Sequence, residues 1–498
     1  MHRPRPIRTR PAAVTLVVLL GSLAGIAGAA SPDYLQVVRN YADAMIEHGR
    51  DRYGETHSPL FACTLNRQSL ELLQGEAPSI QGVRPQDRAI GAANPMHDQN
   101  LYQVLYALSA ATGEPRYAAA ADGSLRWFFE HCQSETTGLL AWGEHLGWRF
   151  DDQGVTNNGR AADLHEFFRP WVLWDRSYAL APQPCHRFAR GLWDHQIHDQ
   201  HTGAFSRHAG YSRHKTRGID EYPRHGGFYI AAWAAAYAQT RDPVMLEAIE
   251  TLVDFFDRRR SSQSDAIPAE SNVRSGGKML WPASNLSLAI DLETAAAHVP
   301  DTLSAKLRQS AARTDAVFLR LAHDLSPPGP GFVRQAHVDT LAPEDVRRTG
   351  KLVYSERWAT GYGRATDAKF ANLCSLRYLQ TGDDGYRKLV LAAADRYLES
   401  EPDPRITLYP GTMGHVILNL LAAYDTSGES HYLARADHFA QQAVATFLPS
   451  GSPLPRASSK HEHYEAMTRA DTLMMALLKL WEVQSKHPSP LPLVFSDR

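Results

Sequence analysis

The chain has 498 residues, of which 43% are hydrophobic, and its 54 acidic side chains slightly outnumber its 52 basic ones. This mildly acidic balance, without a basic block, argues against nucleic acid as a partner. A chain of this length can bury a large core, and length alone would suggest two or three domains.

The first thirty residues have the composition of an export signal. Four arginines precede an apolar run over 12–27, and small residues follow at 27–30. This order is typical of a secretory signal peptide with cleavage near Ala29 or Ala30, and a retained membrane anchor is the alternative. Without residues 1–30, 48 basic side chains face 54 acidic ones, a formal charge of −6. We therefore expect residues 31–498 to work in the periplasm or outside the cell.

A recurring phrase organises the rest of the chain: a helical run ends in a small-residue turn, and an acidic residue precedes the next helix. It occurs as ALSAATGEPRY (107–117), AYAQTRDPVML (236–246), RYLQTGDDGYRKL (377–389) and AAYDTSGESHY (422–432). Each copy predicts two antiparallel helices joined by a short turn. Because the copies are spread along the chain, the sequence predicts an all-α protein, an (α/α)n toroid of six or seven helix hairpins. We expect one large domain over 31–498.

The four cysteines are Cys63, Cys132, Cys185 and Cys374, and none forms a Cys-x-x-Cys pair. An oxidising compartment permits disulfides, but a protein of this size does not depend on them. We expect buried free thiols, with one bridge as the alternative.

Three polar segments concentrate histidine, glutamate and arginine. They are WGEHLGW (142–148) around His145, DLHEFFRPW (163–171) around Glu166, and FSRHAGY (205–211) around Arg207 and His208. In a toroid such loops gather at one mouth, where the helices hold them in place. Two imidazoles and one carboxylate are a common ligand set for a divalent transition metal, whereas magnesium or calcium prefers more oxygen ligands. His145, Glu166 and His208 are therefore candidate metal ligands.

These segments belong to a longer series of motifs: DRYGETHSPLFA (51–62), HDQNLYQVLYALSAATGEPRY (97–117), GLLAWGEH (138–145), LHE (164–166) and FSRHAGY. In that order they resemble the family 2 polysaccharide lyases, which are pectate and exopolygalacturonate lyases with an α/α barrel. The resemblance covers about residues 40–240 and continues beyond them only through the helical repeats. It implies that His145, Glu166 and His208 hold a manganese-like divalent metal and that Arg207 is the catalytic base.

The resemblance also implies the reaction, β-elimination on pectate or a related polyuronate to give unsaturated uronides. The carboxylate acidifies the C5 proton, and a metal or a cation neutralises the charge that builds on that carboxylate. Arginine is an unusual base because its pKa is normally above about 12. A neighbouring dication and a desolvated cleft would lower the cost of losing its proton.

Cationic and aromatic side chains near these motifs are candidate substrate contacts. Arg224 and His225 repeat the Arg-His pair at 207–208, and arginine offers carboxylates a bidentate fork. Indoles are more often core residues, which we expect of Trp171 and Trp174, but those flanking His145 can also stack on a sugar ring. The predicted substrate-binding set is Arg224, His225, Lys278, Trp142 and Arg52. Arg274, Tyr354, Arg357 and His415 rank below it.

Two other functions fit the same sequence. A glycoside hydrolase on this toroid, such as an unsaturated glucuronyl hydrolase, needs two acidic residues across the scissile bond. Glu144, Glu166, Asp220 and Glu221 could supply them. A non-catalytic glycan-binding protein would present the same aromatic and basic side chains without turnover. Sensitivity to a chelator distinguishes the lyase from both.

Overall fold

The structure, a computed structural model, describes residues 32–156, 167–214, 220–269, 276–359, 361, 363–449 and 451–498. The predicted signal peptide, the predicted metal ligand Glu166 and the lower-ranked Arg274 lie outside these residues.

Fourteen α-helices and eight short strands are found among the described residues. The helices are α1 Tyr34–Glu47, α2 Gln99–Thr112, α3 Pro115–His131, α4 Trp174–Leu180, α5 Pro182–Gly191, α6 Pro223–Thr240, α7 Pro243–Arg258, α8 Pro282–Ala296, α9 Asp301–Arg320, α10 Asp367–Thr381, α11 Asp384–Leu398, α12 Pro410–Ser427, α13 Ser430–Phe447 and α14 Ala470–Ser485. The strands are β1 Thr64–Leu65, β2 Ala92–Ala93, β3 Trp148–Arg149, β4 Ile197–Asp199, β5 Ala204–Phe205, β6 Met279–Leu280, β7 Ala336–His337 and β8 Tyr464–Glu465. In this part of the chain, no helix combines the length and apolarity that a membrane span requires.

The helices form a closed ring of hairpins. The inner helices pack in the order α4, α6, α8, α10, α12 and α14, each against its neighbour in this series. The last of them, α14, packs against α2. The odd-numbered helices lie outside them, α3 against α2, α5 against α4, and so on to α13 against α12. The first helix, α1, packs against the last, α14, and so completes a seventh pair. The predicted all-α toroid of six or seven hairpins is confirmed, and Asp33–Arg498 form one compact unit.

The two layers differ in how their helices are buried. The outer helix α13 buries one stripe that includes Tyr432, Ala436 and Phe439, at the spacing of an amphipathic helix. The inner helix α12 is buried over most of its surface, and its buried residues include polar His415 and Asn419. A helix that neighbours enclose needs no polar face toward water.

The turns of the hairpins explain the recurring phrase. Helices α2, α10 and α12 end at left-handed Gly113, Gly382 and Gly428, with φ angles of 74°, 69° and 75°. Glycine adopts this conformation without the steric cost that a Cβ would bring. At the start of α11 the Asp383 carboxylate accepts a hydrogen bond from the Gly385 N–H at 2.7 Å. The small-residue turn thus marks the end of one helix, and the acidic residue caps the start of the next.

Three of the four strand pairs join loops that are distant in the sequence, and β4 with β5 forms a local hairpin. β1 pairs with β8, β2 with β3, β4 with β5 and β6 with β7, all antiparallel. A parallel bridge joins Ser206 to Asp220 as well. The pairs fix these loops relative to one another.

Aromatic side chains fill the core between α3, α5 and the loop before α4. Trp171 is almost completely buried, and its ring centre lies 4.9 Å from that of Trp142. Trp174 packs on Phe188 at 5.9 Å. The prediction that Trp171 and Trp174 are core residues is therefore confirmed. All four cysteines are buried free thiols, as predicted.

Candidate functional site

His145 lies in the loop after Trp142 and is fixed by carboxylates. Its Nδ1–H donates to the Asp87 carboxylate at 2.8 Å, and its Nε2 lies 3.4 Å from a Glu144 oxygen. Arg84 bridges the two acids, since it pairs with Asp87 and lies 2.7 Å from Glu144. A carboxylate at one ring nitrogen sets the tautomer and leaves the lone pair on the other, which is the usual arrangement behind a metal-ligating histidine.

His208 is the second predicted ligand, and the structure places it beside the first. The rings of His145 and His208 are nearly parallel, with an interplanar angle of 14° and centres 5.7 Å apart. His208 follows β5, and its Nδ1 lies 3.7 Å from an Asp220 oxygen. The third predicted ligand, Glu166, is outside the described residues, and no group of three His, Cys, Asp or Glu side chains suited to a metal occurs within them.

Arg207 is adjacent to His208 in the chain and is held by an anion and a ring. Its Nε donates to Asp220 at 2.7 Å, and its guanidinium carbon lies 5.0 Å from the centre of the Tyr222 ring. The backbone bridge between Ser206 and Asp220 fixes the carboxylate relative to the arginine. Sequence reasoning considered Asp220 only as a hydrolase acid, because the bridge that makes it a partner of Arg207 is not visible in the motif.

A stack of rings and guanidinium groups leads from Arg207 into the second half of the chain. Tyr222 lies on Trp281, with ring centres 5.0 Å apart and an interplanar angle of 10°. The Arg347 guanidinium also lies over Trp281, with its carbon 5.6 Å from the centre of the indole ring. Cation–π and ring contacts of this kind fix the relative positions of the groups.

The stack borders a cavity of about 220 Å³, which we call the cationic cavity. Trp281 forms part of its wall. Burial, together with the charges of Arg469 and Arg224, lowers the pKa of Lys369 to about 7. Six of the side chains that line the cavity are basic: Arg224, Arg334, Arg347, Lys351, Lys369 and Arg498.

The predicted substrate contacts are distributed unevenly. Arg224 lines the cationic cavity, and its backbone N–H donates to the Ser284 hydroxyl at 3.1 Å. Lys278 and Arg52 are exposed and do not line the cavity.

Two of the predicted substrate contacts are corrected by the structure. Trp142 is completely buried, stacked on Phe167 at 5.6 Å and 4°, so it presents no face to a sugar. His225 is completely buried in α6 between the rings of Tyr222 and Phe228. Both predictions were wrong as direct contacts, because proximity to a motif in sequence does not determine which side of the loop or helix faces the cleft.

Sequence reasoning missed most of the cationic cavity. Arg347 and Lys351 belong to VRRTGK (346–351), whose clustered charges were the available signal. Arg334 and Lys369 had no local signal.

The segment 494–498 was missed as well. The Asp497 carboxylate is buried, accepts from Thr472 at 2.8 Å, pairs with Arg469, and lies 2.8 Å from Nε2 of His415. Arg498 donates to Asp291 at 2.6 Å.

The chain resembles known proteins over the segment that holds the motifs. Residues 58–226 match a family model described as periplasmic pectate lyase. The pectate disaccharide-lyase of Dickeya dadantii (strain 3937) is 22% identical over 135 residues, which are 27% of this chain and 25% of that protein. The match thus spans about a quarter of the relative's length. The predicted resemblance to the family 2 pectate lyases is confirmed over this segment, which contains His145, Arg207 and His208.

Solved structures are similar along most of the chain at low sequence identity. D-mannose isomerase aligns with a TM-score of 0.49 at 10% identity, over 91% of this chain and 98% of that one. Cellobiose 2-epimerase from Bacillus thermoamylovorans B4167 aligns with 0.48 at 10%, over 90% and 99%. An unsaturated glucuronyl hydrolase specific for heparin aligns with 0.47 at 12%, over 91% and 98%.

Proposed function

We propose that this protein is an exported, metal-assisted polysaccharide lyase that cleaves pectate or a related polyuronate by β-elimination and releases unsaturated uronides. The observation that carries the proposal is the placement of the His145 and His208 imidazoles side by side, with Arg207 adjacent and the cationic cavity beyond. The three side chains belong to the segment that matches the periplasmic pectate lyase family. The description of that family also supports work in the periplasm or outside the cell.

The donor set suits a manganese-like divalent cation. The hydrogen bond from Nδ1 of His145 to Asp87 leaves Nε2 as the coordinating nitrogen. In the proposal, His145, His208 and Glu166 hold the ion, and two imidazoles with one carboxylate favour a transition metal over magnesium or calcium. When bound, such an ion supplies positive charge to the substrate carboxylate as the C5 proton leaves.

Arg207 is the proposed proton acceptor. As the C5 proton is transferred to a nitrogen of the neutral guanidine, the electron pair of the C5–H bond forms the C4–C5 double bond. The C4–O bond breaks, its electron pair leaves with the glycosidic oxygen, and that oxygen takes a proton from water. Asp220, 2.7 Å from Nε of Arg207, stabilises the guanidinium that results. The guanidinium also lies over the Tyr222 ring, so protein contacts on two sides hold it in position before substrate binds.

The test is a lyase assay on the protein without residues 1–30. Polygalacturonate and other acidic polysaccharides are added, and ultraviolet absorbance of unsaturated uronides is followed with and without a chelator. We expect a rise that the chelator abolishes and Mn²⁺ restores. Arg207→Ala should lower the rate at least about 100-fold, the usual contribution of a general base. Arg405→Ala, which removes an exposed partner of Asp403, is the matched control.

Other outcomes of this assay identify the alternatives. New reducing ends without unsaturated product would favour the hydrolase and direct attention to Glu144 and Asp220. Binding of polyuronate without any turnover would favour the glycan-binding protein. A rate that the chelator leaves unchanged would contradict the metal-assisted reaction.

A further inference from the structure

The cationic cavity lies mostly outside the part of the chain that carries the motifs. Apart from Arg224, its lining comes from residues 279–373 and from Arg498. The match to the periplasmic pectate lyase family ends at residue 226. The elimination chemistry at Arg207 needs a base and a positive charge at one carboxylate, and it gives no reason for a second group of basic side chains.

Basic side chains dominate the lining of the cavity. No carboxylate is among the described residues that line it. Arg498 is paired with Asp291, but neither the Lys351 nor the Lys369 ammonium has an ion-pair partner in the described parts of the chain. Crowded like charges oppose folding, so such an arrangement favours an anion that neutralises them on binding.

The remaining lining suits a sugar better than a bare inorganic anion. Trp281 is half-buried and lies in the cavity wall, where the Arg347 guanidinium lies over its ring and is positioned by it. Ser284, Gln335 and Thr349 add neutral donors and acceptors for hydroxyl groups. The wall is also physically joined to Arg207, because Trp281 lies on Tyr222, and Tyr222 lies under the Arg207 guanidinium.

We propose that the cationic cavity binds a uronate unit of the glycan that is not itself cleaved. Arg347, which Trp281 positions, and Lys351 bind its carboxylate, neutral side chains of the lining bind its hydroxyl groups, and the adjoining unit is thereby placed at Arg207. The inference rests on the proposed function for the identity of the glycan, but it concerns binding and not the reaction. It makes Arg347 and Lys351 determinants of specificity for acidic over neutral glycans.

The experiment measures binding and turnover separately. The probe for binding is saturated trigalacturonate, titrated calorimetrically into Arg207→Ala protein loaded with Mn²⁺, with the fully methyl-esterified trimer as the neutral counterpart. Lys351→Ala and Arg347→Ala are each introduced into this background, and the double variant is made as well. Lys351 is exposed, so its replacement is compatible with folding. The matched control is Lys388→Ala, which removes an exposed ammonium that pairs with Asp384 on α11.

We expect the double variant to weaken trigalacturonate binding about tenfold or more, as loss of charge-assisted hydrogen bonds does. Binding of the methyl ester should already be weak and should change little. In the otherwise intact enzyme the same variants should raise KM and leave kcat nearly unchanged, since they remove binding common to ground and transition states.

Each contrary result has a distinct meaning. If the enzyme is active but the double variant keeps the KM and the Kd of the parent, the cavity proposal is overturned. If no unsaturated product forms but trigalacturonate binding depends on Arg347 and Lys351, the lyase proposal fails and the cavity proposal stands. Failure of the Arg207→Ala protein to bind trigalacturonate, or equal binding of the methyl ester, overturns the cavity proposal directly.

Discussion

At the scale of single residues, two carboxylates orient the proposed metal-binding and catalytic side chains of the site. Asp87 fixes the tautomer of His145, and Asp220 fixes the guanidinium of Arg207. Neither acid is a proposed metal ligand or proton acceptor. Their role is to orient the groups that are.

We predict that Asp87→Asn weakens Mn²⁺ binding about 10- to 100-fold, the usual effect of removing a carboxylate behind a metal-ligating histidine. The amide no longer provides the charged acceptor that fixes His145 with Nε2 unprotonated. Affinity is measured by calorimetric titration of metal-free protein. Asp152→Asn, which changes an exposed partner of Arg149, should leave the affinity unchanged. Equal affinities of the two variants would contradict the role of Asp87.

Lys369 provides a prediction about pH. Its pKa in the folded protein is lowered from 10.5 to about 7, chiefly by burial. Between these values the unfolded chain holds a proton that the folded chain does not, so this group makes the folded protein more stable as pH rises through the window. Below about pH 7 both states are protonated, and its destabilising effect is fully present and constant.

The measurement compares the wild type with Lys369→Met by chemical denaturation from pH 6 to pH 10. Above about pH 7, we expect the free energy of unfolding of the wild type to rise relative to that of the variant, by up to about 1.4 kcal/mol per pH unit. A difference that stays constant over this range would show that Lys369 titrates at its ordinary pKa.

At the scale of elements, the hairpin turns depend on residues that adopt the left-handed conformation. Gly113 ends α2 with a φ of 74°, and a Cβ added there meets nothing within 4 Å. Any cost of adding a Cβ therefore comes from the backbone conformation and not from a clash. Arg241 adopts a φ of 59° at the end of α6, which shows that the ring tolerates one such strained turn.

We predict that Gly113→Ala lowers the free energy of unfolding by about 1 kcal/mol, because alanine is strained in the left-handed region. Gly123→Ala is the matched control: Gly123 lies inside α3, and a Cβ there also meets nothing within 4 Å. It should stabilise the protein by about 0.5–1 kcal/mol, since glycine is unfavourable in a helix. Denaturant titration measures both, and changes of the same sign would contradict the argument.

At the scale of the whole molecule, the ring is closed by contacts between the two ends of the described chain. The Tyr41 hydroxyl on α1 lies 3.1 Å from the Tyr464 hydroxyl on β8. Residues 494–498 pack against the inner helices, where Asp497 contacts α12 and α14 and Arg498 contacts α8. These contacts also hold Arg498 in the cavity wall.

We predict that Asp497→Asn lowers the free energy of unfolding by about 3–5 kcal/mol, because it removes a buried negative charge that pairs with Arg469 and with buried Arg169. Asp403→Asn removes an exposed ion pair with Arg405 and should leave the free energy of unfolding nearly unchanged. Both are measured by chemical denaturation. A loss at Asp497 as small as that at Asp403 would show that the pair contributes little.

The sequence by itself determined the features that depend on local chemistry. Helix periodicity and the left-handed glycine turns act within a few residues, so the all-α ring of hairpins could be predicted from the repeated phrase. The motifs likewise identified His145, Arg207 and His208, and the structure shows that they lie together. The metal they are proposed to hold, with Glu166, stays a prediction.

Only the tertiary structure decided which side chains share a surface. The cationic cavity joins Arg224, Trp281, Arg347 and Arg498, which are far apart in the chain and meet because α6, α8 and α10 pack side by side and residue 498 returns to α8. Trp142 has the local sequence of a cleft residue, but packing among neighbouring aromatic rings buries it completely. Burial and ring closure arise from contacts between distant segments, and the order of residues in one segment does not encode them.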